Sequence, residues 1–506
     1  MHIVINKESQ VPVYIQIKKQ ICDMIIKEQL PSNFILPAER TLAKQLNVNR
    51  STVVRAYMDL KAEGYIQSKQ GSGTVVLSKL GEEDIKENVY IPPLRWSQLE
   101  SKTFNSNRDA TISKILSVFE TGKTISFASG IMAEESYSLK KLKQLQVNLY
   151  DKYEEKLFMP TPVDGSILLK SLLRNYLSEH GIRISNKQLL VTSGSQQALE
   201  FIAKYFIEAG DIVLIEEATY PGAIQVFESY GAKIIGIPME SDGMDLDVLE
   251  TCLIRYRPKF IYTQPDFQNP TGITMSLEKR KELLDLAYYY QVPIVEDNPY
   301  QEIRFEGETL PALKSLDQYD YVIYISSFSK SISFSLRVGY VVASEEVIER
   351  FKFYKQLNDI QTSTQSQYLV AEILSSGYFK EQVSFLIKKY KKKRDKMIKV
   401  LSQTQIKGFE VLEPKGGFFV WCKLPDEIRL SELIHTLSKN GVVVMPGEVF
   451  FAHERINENY LRLNYSYPKE EDIEEGCQKL ITCIKQCLSN RKSHAHEISS
   501  KLNPFL

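Results

Sequence analysis

No stretch of this 506-residue sequence stays apolar for the length of a bilayer crossing, and no apolar run follows a basic start at its N-terminus. Neither a membrane span nor a secretion signal is expected, which points to a soluble protein of the cytoplasm. Cysteine is scarce. The six present (Cys22, Cys252, Cys422, Cys477, Cys483 and Cys487) nowhere form a Cys-x-x-Cys pair. Cys483 and Cys487 stand one helical turn apart, a spacing that suits helix packing better than a metal, so no metal site is expected. Free thiols agree with a reducing compartment. No internal repeat or low-complexity tract stands out. Net charge is also missing, since 63 Lys and Arg balance 63 Asp and Glu.

The balance is uneven along the chain. Residues 1–79 hold 11 Lys or Arg against 6 Asp or Glu, and the remainder 52 against 57. A basic head on a slightly acidic body hints at nucleic acid near the N-terminus. The length exceeds one hydrophobic core and implies two or three domains.

In the head, Tyr14, Ile17, Ile21, Met24 and Ile25 recur at helical spacing over residues 12–30. A second helix is expected from Leu36, with Pro37 in its first turn. Asn49 suits the N-cap of a third helix, with Val48 stapled to Val53 and Gly64 at its end. Arg50, Ser51 and Thr52 then crowd the exposed N-terminal turn, the end that a recognition helix offers to the major groove. Strands at Tyr65–Ser68 and Thr74–Leu77, joined through Gly71-Ser72-Gly73, read as a wing. The series Leu-Pro-Ala-Glu-Arg (36–40), Arg-Ser-Thr-Val (50–53) and Gly-Ser-Gly-Thr (71–74) resembles the GntR-type winged helix-turn-helix. The resemblance implies a double-stranded DNA partner contacted by Arg40, Arg50, Thr52 and Gly71, with Ser51 and Lys69 beside them.

Residues 78–120 show no sustained period and read as a linker, part of which Trp96, Leu99 and Phe104 would dock. From there apolar strands alternate with helical stretches, the pattern of a doubly wound α/β domain. Strands are expected at Leu189–Thr192, Ile212–Ile215, Lys233–Ile237, Phe260–Gln264, Pro293–Glu296, Val322–Ser326 and Val338–Val342. Residues from about 391 to 490 should form a smaller α+β domain, followed by a tail (491–506) that is disordered after Ser493. The lysine-rich run Lys388–Lys396 reads as a solvated helix face.

One strand of this body runs into Ser327-Phe328-Ser329-Lys330, continued by Leu336-Arg337-Val338-Gly339-Tyr340. A lysine just past a buried strand end is desolvated, which disfavours its ammonium and leaves a nucleophilic amine. Such an amine can form a Schiff base with an aldehyde cofactor. Ser327, Ser329 and Arg337 supply hydroxyls and a guanidinium for a phosphate.

Ser-x-Ser-Lys followed by Leu-Arg-x-Gly-Tyr resembles the lysine segment of fold-type I aminotransferases, over residues 121–490. That resemblance implies pyridoxal 5'-phosphate as cofactor, bound through Lys330. Ser193, Gly194, Ser195 and Gln196 would open the helix that receives the phosphate. Tyr220 would stack on the pyridine ring, and Asn269 and Tyr300 would reach its phenolic oxygen. Asp297 would keep the ring nitrogen protonated. Lys330, Asp297 and Tyr300 would be the catalytic set, and Arg462, in Tyr460-Leu461-Arg462-Leu463, would grip an amino-acid carboxylate. Two positions depart from the pattern. Pro160 stands where a tyrosine lent to the neighbouring subunit is usual, with Phe158 the nearest aromatic, and Phe334 stands where proline is common.

A winged head joined to such a body resembles the MocR/GabR group of GntR-family regulators. This implies a homodimeric regulator that senses an amine, an amino acid or pyridoxal phosphate itself, by exchanging the Lys330 imine for one with the effector. The alternative is a true aminotransferase whose head regulates its own synthesis.

Overall fold

The computed structural model describes residues 1–6, 9, 11–69, 73–77, 99, 124–452 and 459–501, with 491–501 as backbone only. The chain divides into two units, Met1–Glu100 and Ser101–Leu506. The expected linker, apart from an exposed Leu99, lies outside the described residues, as does Gly71.

In the head, α1 (Val13–Ile26) buries Ile17, Ile21 and Ile25, one residue per turn, against α3 (Arg50–Ala62). Val53, Ala56, Tyr57 and Leu60 of α3 answer them at helical spacing. Asn49 caps α3, its side chain accepting from the Ser51 amide at 3.1 Å. The second helix, α2, spans Glu39–Gln45 rather than starting at Pro37. The Pro37 carbonyl instead accepts the Tyr57 hydroxyl at 2.9 Å, which ties the entry of α2 to α3. Strands β1 (Ile35–Leu36), β2 (Ile66–Lys69) and β3 (Gly73–Val76) form an antiparallel sheet with β3 in the middle. Two residues before a proline give no period, so β1 is invisible in the sequence.

In the body, all seven expected strands join one sheet. They are β4 (Leu189–Thr192), β5 (Ile212–Glu216), β6 (Lys233–Ile237), β7 (Ile261–Thr263), β8 (Ile294–Asp297), β9 (Val322–Ser327) and β10 (Gly339–Val342). Their order is β4-β10-β9-β8-β7-β5-β6, and only β10 runs against its neighbours. Both faces are covered: Leu190, Val213, Tyr262, Val295, Ile325 and Val341 pack on one side. Leu189, Tyr340 and Tyr324 lie on the other, with Leu214, Ile261 and Ile294 continuing that side. Burial on two faces is why these strands read as continuous apolar runs. The C-terminal ends of β4, β5, β7, β8 and β9 therefore open on the same edge, where ligands of open α/β sheets bind.

A second antiparallel sheet has the order β11 (Glu410–Leu412), β12 (Phe419–Lys423), β14 (Tyr460–Asn464), β13 (Met445–Pro446). Helices Tyr378–Ser402, Leu430–Lys439 and Asp472–Lys501 cover it. The short strand Ile125–Ser126 pairs with Val442–Val443, so the segment entering the body belongs to this part. Two expectations are corrected. The tail from 491 is helical to Lys501, because nothing between 491 and 501 breaks a helix before Pro504. The lysine-rich run is not wholly solvated. Lys393 is buried, donating to the Pro468 carbonyl at 2.6 Å and paired with Glu135 at 2.8 Å, and Arg394 is buried against the Pro414 carbonyl. No described helix is long and apolar enough to cross a membrane.

Gly339 opens β10 between Thr192 and Ser327. A Cβ there would meet the Gly194 carbonyl carbon and the Ser326 oxygen at 2.9 Å. Gly339→Ala is expected to cost about 1–3 kcal/mol through overpacking, read as a lower denaturant midpoint for the body. An unchanged midpoint would show that this edge has slack.

Candidate functional site

A cavity of about 660 Å³ lies at the shared C-terminal edge of the large sheet and under the small one. It is lined by Lys330, Asp297, Tyr300, Tyr220, Asn269, Ser195, Gln196, Ser327, Ser329, Arg337 and Arg462. Eleven residues scattered over 268 positions of sequence thus meet in one place.

Lys330 ends the single turn Phe328–Lys330 that follows β9. Its Nζ donates to the Gly130 carbonyl at 2.7 Å and has no carboxylate within ion-pair distance among the described residues. Burial, and then the Arg462 charge, bring the amine down to about 8, against the opposing pull of Asp297. Asp297 closes β8. Its Oδ2 accepts the Tyr262 hydroxyl at 2.6 Å and the Gln264 amide at 3.2 Å, while Oδ1 is buried with no partner. Burial pushes this carboxyl up to about 6, although both hydrogen bonds hold it down.

Arg462 lies on β14, an inner strand of its sheet, opposite Trp421 and Met445. Leu461 and Leu463 point into the core of the small domain, which leaves Arg462 facing the cavity. Its guanidinium donates to Asn269 Oδ1 at 3.1 Å and to the Ala128 and Ser129 carbonyls at 2.5 and 3.3 Å. Nε is buried without a partner. The Phe419 and Phe450 rings lie 4.2 and 4.9 Å from the guanidinium carbon. Burial lowers this guanidinium to about 10. Tyr220 caps the helix Pro221–Ser229, and its hydroxyl donates to Gln196 Oε1 at 3.1 Å. Tyr300 is buried edge-on to Phe418 and Phe419, with Lys330 Nζ 5.9 Å from its ring centre.

At the other end, the Ser327 and Ser329 hydroxyls share a hydrogen bond of 2.8 Å. Arg337, with φ of 52°, lays its guanidinium into the space a Cβ on Gly194 would fill. Ser195 and Gln196, which line the cavity, start the helix Ser195–Phe206, and no side chain caps it. Ser193 departs from expectation. Its side chain does not line the cavity; the hydroxyl turns the other way and donates to Asp359 Oδ2 at 2.7 Å. Gly194 contributes room rather than a contact.

Several residues that sequence reasoning missed hold this set in place. Tyr262 pairs with Val295 in register, which brings Tyr262 and Asp297 to one face of adjacent strands. Gln264 bonds both Asp297 and the Asn269 amide, at 3.2 and 2.9 Å. Glu216, fully buried and raised to about 7 by that burial, accepts from Thr263, the Gln264 amide, Gln268 and Thr219. The parity of alternating residues was readable; the register that pairs the strands was not. Of the two departures, Phe334 lines the cavity mouth with Arg337 4.9 Å from its ring centre. Phe158 and Pro160 are exposed and do not line the cavity.

In the head, Arg40, Arg50, Ser51 and Lys69 are exposed and Thr52 half-buried. Arg50 makes a loose ion pair with Glu39, at 3.3 Å, between two partly exposed side chains. The Ser51 hydroxyl is engaged by the Asn49 cap at 3.0 Å. Lys69 ends β2 at the wing.

Residues 123–480 match the family model of "Aminotransferase class I and II". The chain belongs to this family. Residues 13–76 match "Bacterial regulatory proteins, gntR family". Among relatives, aromatic-amino-acid aminotransferase 1 of Thermococcus litoralis is 35% identical over 80% of this chain and 98% of its own. The HTH-type transcriptional regulator YdfD of Bacillus subtilis is 31% identical over 96% of this chain and 98% of its own, head included. The kynurenine aminotransferase of Pyrococcus horikoshii, solved with PMP, superposes with a TM-score of 0.72 at 33% identity over 81% of this chain and 99% of that one. An aminotransferase family implies pyridoxal phosphate, and the residues fit it. Asp297 Oδ1 is an orphaned acceptor that a pyridinium N–H could meet, Lys330 is a desolvated amine, and the Arg337 guanidinium lies against Gly194 at an uncapped helix start, a setting that suits a phosphate.

The Asp297 carboxyl makes a testable contribution to stability. Its value in the fold, about 6, exceeds the ordinary 3.8, so the unfolded chain ionises first. Stability from this group is complete below about pH 4 and is lost as pH rises through about 6. In cofactor-free protein, Asp297→Asn is expected to exceed wild type above pH 6 by on the order of 2–3 kcal/mol. The gap should close toward pH 4 in urea titrations. A gap constant with pH would mean that Asp297 is not desolvated as described.

Proposed function

We propose that this protein is a pyridoxal-phosphate-dependent transcriptional regulator. It is a cytoplasmic homodimer that binds a paired operator through residues 1–77 and senses a small amine-bearing effector at Lys330. The observation that supports the reading is that one chain holds a GntR head and an aminotransferase body whose cavity gathers Lys330, Asp297, Tyr220, Asn269, Tyr300 and Arg337. When bound, the cofactor would supply an aldehyde carbon open to amine exchange, with Lys330 as the chain's own amine there. The rest is done by the chain. Asp297 holds a proton at the ring nitrogen, and Asn269 and Tyr300 hold the phenolic oxygen. Tyr220 covers the ring, while Ser195, Gln196, Ser327, Ser329 and Arg337 fix the phosphate. Effector binding regulates DNA only insofar as it favours one arrangement of the dimer over another.

The effector we assign is a primary amine with a single carboxylate. Arg462 touches only neutral acceptors, so no carboxylate of the described residues answers its charge. Among the described lining residues the other cations, Lys330 and Arg337, belong to the cofactor. Ile131, Phe334, Met445, Val449 and Phe450 make much of the remaining wall apolar, and its other polar members, Gln225 and Tyr467 among them, are uncharged. Borohydride should fix the cofactor to Lys330, and Lys330→Ala should abolish that link. Arg462→Lys is expected to weaken the spectral response to monocarboxylic amino acids roughly tenfold or more while sparing cofactor binding. If plain amines shift the spectrum as well as amino acids do, and the variant responds like wild type, the carboxylate assignment fails. Sustained turnover of a 2-oxo acid would make the pocket that of an aminotransferase instead.

In the head, Arg50 at the start of α3 reads a base edge and Arg40 on α2 holds a phosphate. Arg50→Ala is expected to cost roughly 1–3 kcal/mol and relax sequence preference. Arg40→Ala should weaken all sequences alike and lower the salt slope by about one. Operator binding by the double variant at wild-type strength, in a gel-shift titration, would remove the head from DNA recognition.

A further inference from the structure

Burying an ammonium is costly unless each of its protons finds an acceptor, so a fully buried lysine outside the cavity calls for a reason. Lys355, on helix Glu345–Asn358, is 0% exposed. Its Nζ donates to Gln197 Oε1 at 2.9 Å, to both Asp359 oxygens at 2.9 and 3.0 Å, and to Thr362 Oγ1 at 3.1 Å. These acceptors converge on a single residue. The Ser193 amide donates to the same Gln197 Oε1 at 2.9 Å. The Ser193 hydroxyl donates to Asp359 Oδ2 at 2.7 Å and lies 3.2 Å from Thr362 Oγ1. The third polar atom of Ser193, its carbonyl oxygen, accepts Arg337 Nη2 at 3.1 Å.

Ser193 is thus held at every polar atom, on two sides by the Lys355 cluster and on the third by Arg337. The next residue, Gly194, has φ of 88° and is the natural pivot of the turn. A serine anchored on one side of that pivot sets the direction of the amides that open the helix at Ser195. Its carbonyl also sets where the Arg337 guanidinium comes to rest. None of Lys355, Asp359 or Thr362 lines the cavity.

We propose that Lys355 and Asp359 are a positioning pair that holds the turn 193–196 and Arg337 in phosphate-binding geometry. The pair thereby sets the preference for a phosphorylated cofactor over its dephosphorylated form. The proposal rests on the reading that the cofactor's phosphate lies at this turn. A cluster that only glued helix 345–358 to helix 195–206 would affect both forms equally.

The test uses the full chain stripped of cofactor, titrated with pyridoxal phosphate and with pyridoxal. Lys355→Met and Asp359→Asn are each expected to weaken pyridoxal phosphate about tenfold while pyridoxal stays within about twofold. Parallel loss of both ligands, or no loss of either, overturns the proposal. Should Lys355→Met fail to fold, Ser193→Ala answers the same question, because it cuts the tether and leaves the ion pair whole. It too should narrow the preference for the phosphorylated form, and an unchanged preference would overturn the pair's role. Wild-type protein that binds neither ligand would instead overturn the cofactor reading, so the two failures are distinguishable.

Discussion

Three of the charged groups that line the cavity, Lys330, Asp297 and Arg462, are joined by no ion pair. Lys330 is met by a backbone carbonyl, Asp297 by a phenol and an amide, Arg462 by two carbonyls and an amide. Pairing Asp297 with either cation would have lowered the cost of burial and spent the charges on each other. Neutral dipoles hold each ion in place but do not saturate it, which is why one oxygen of Asp297 and one nitrogen of Arg462 remain unmatched. The separation itself has to be enforced, and Glu216 does much of that. Through Gln268 it fixes the loop carrying Asn269 to the Ala218 carbonyl, and through Thr219 it reaches the segment ending in Tyr220. A carboxyl that burial raises to about 7 is thus used as scaffolding rather than chemistry.

This construction explains what could be read from the residues alone. A strand covered on both faces leaves a short apolar run, and Tyr220, Asp297 and Lys330 stand at or soon after the end of such a run, so strands and these site residues were visible together. Distances across strands were not. That Tyr262 reaches Asp297 depends on the register of β7 against β8, and nothing local to either segment encodes it. Ser193 was misjudged for a related reason. Its neighbours in sequence mark a phosphate turn, but its hydroxyl answers Asp359, 166 positions away. Lys393 and Arg394 were taken as solvated because charge was counted without the carbonyls of 414 and 468 that receive them.

The head was more legible because its contacts are local. Its core comes from helices within fifty residues of one another, and the N-cap at Asn49 is encoded by adjacent residues. Only the two-residue β1 and the later start of α2 escaped, both through Pro37, whose carbonyl serves Tyr57 instead of beginning a helix.

The substitution at 334 bears on the phosphate end rather than against it. Arg337 sits in left-handed backbone, a conformation that costs a non-glycine residue of order 1 kcal/mol and persists only when its surroundings fix it. A proline three residues earlier would fix it by stiffening the turn. Phe334 does so by offering a ring face 4.9 Å from the guanidinium carbon, while the Ser193 carbonyl holds the other side. The guanidinium is therefore clamped between an aromatic face and a tethered carbonyl, and the same ring becomes part of the cavity mouth. An exchange that removes rigidity from the backbone returns it through the side chain.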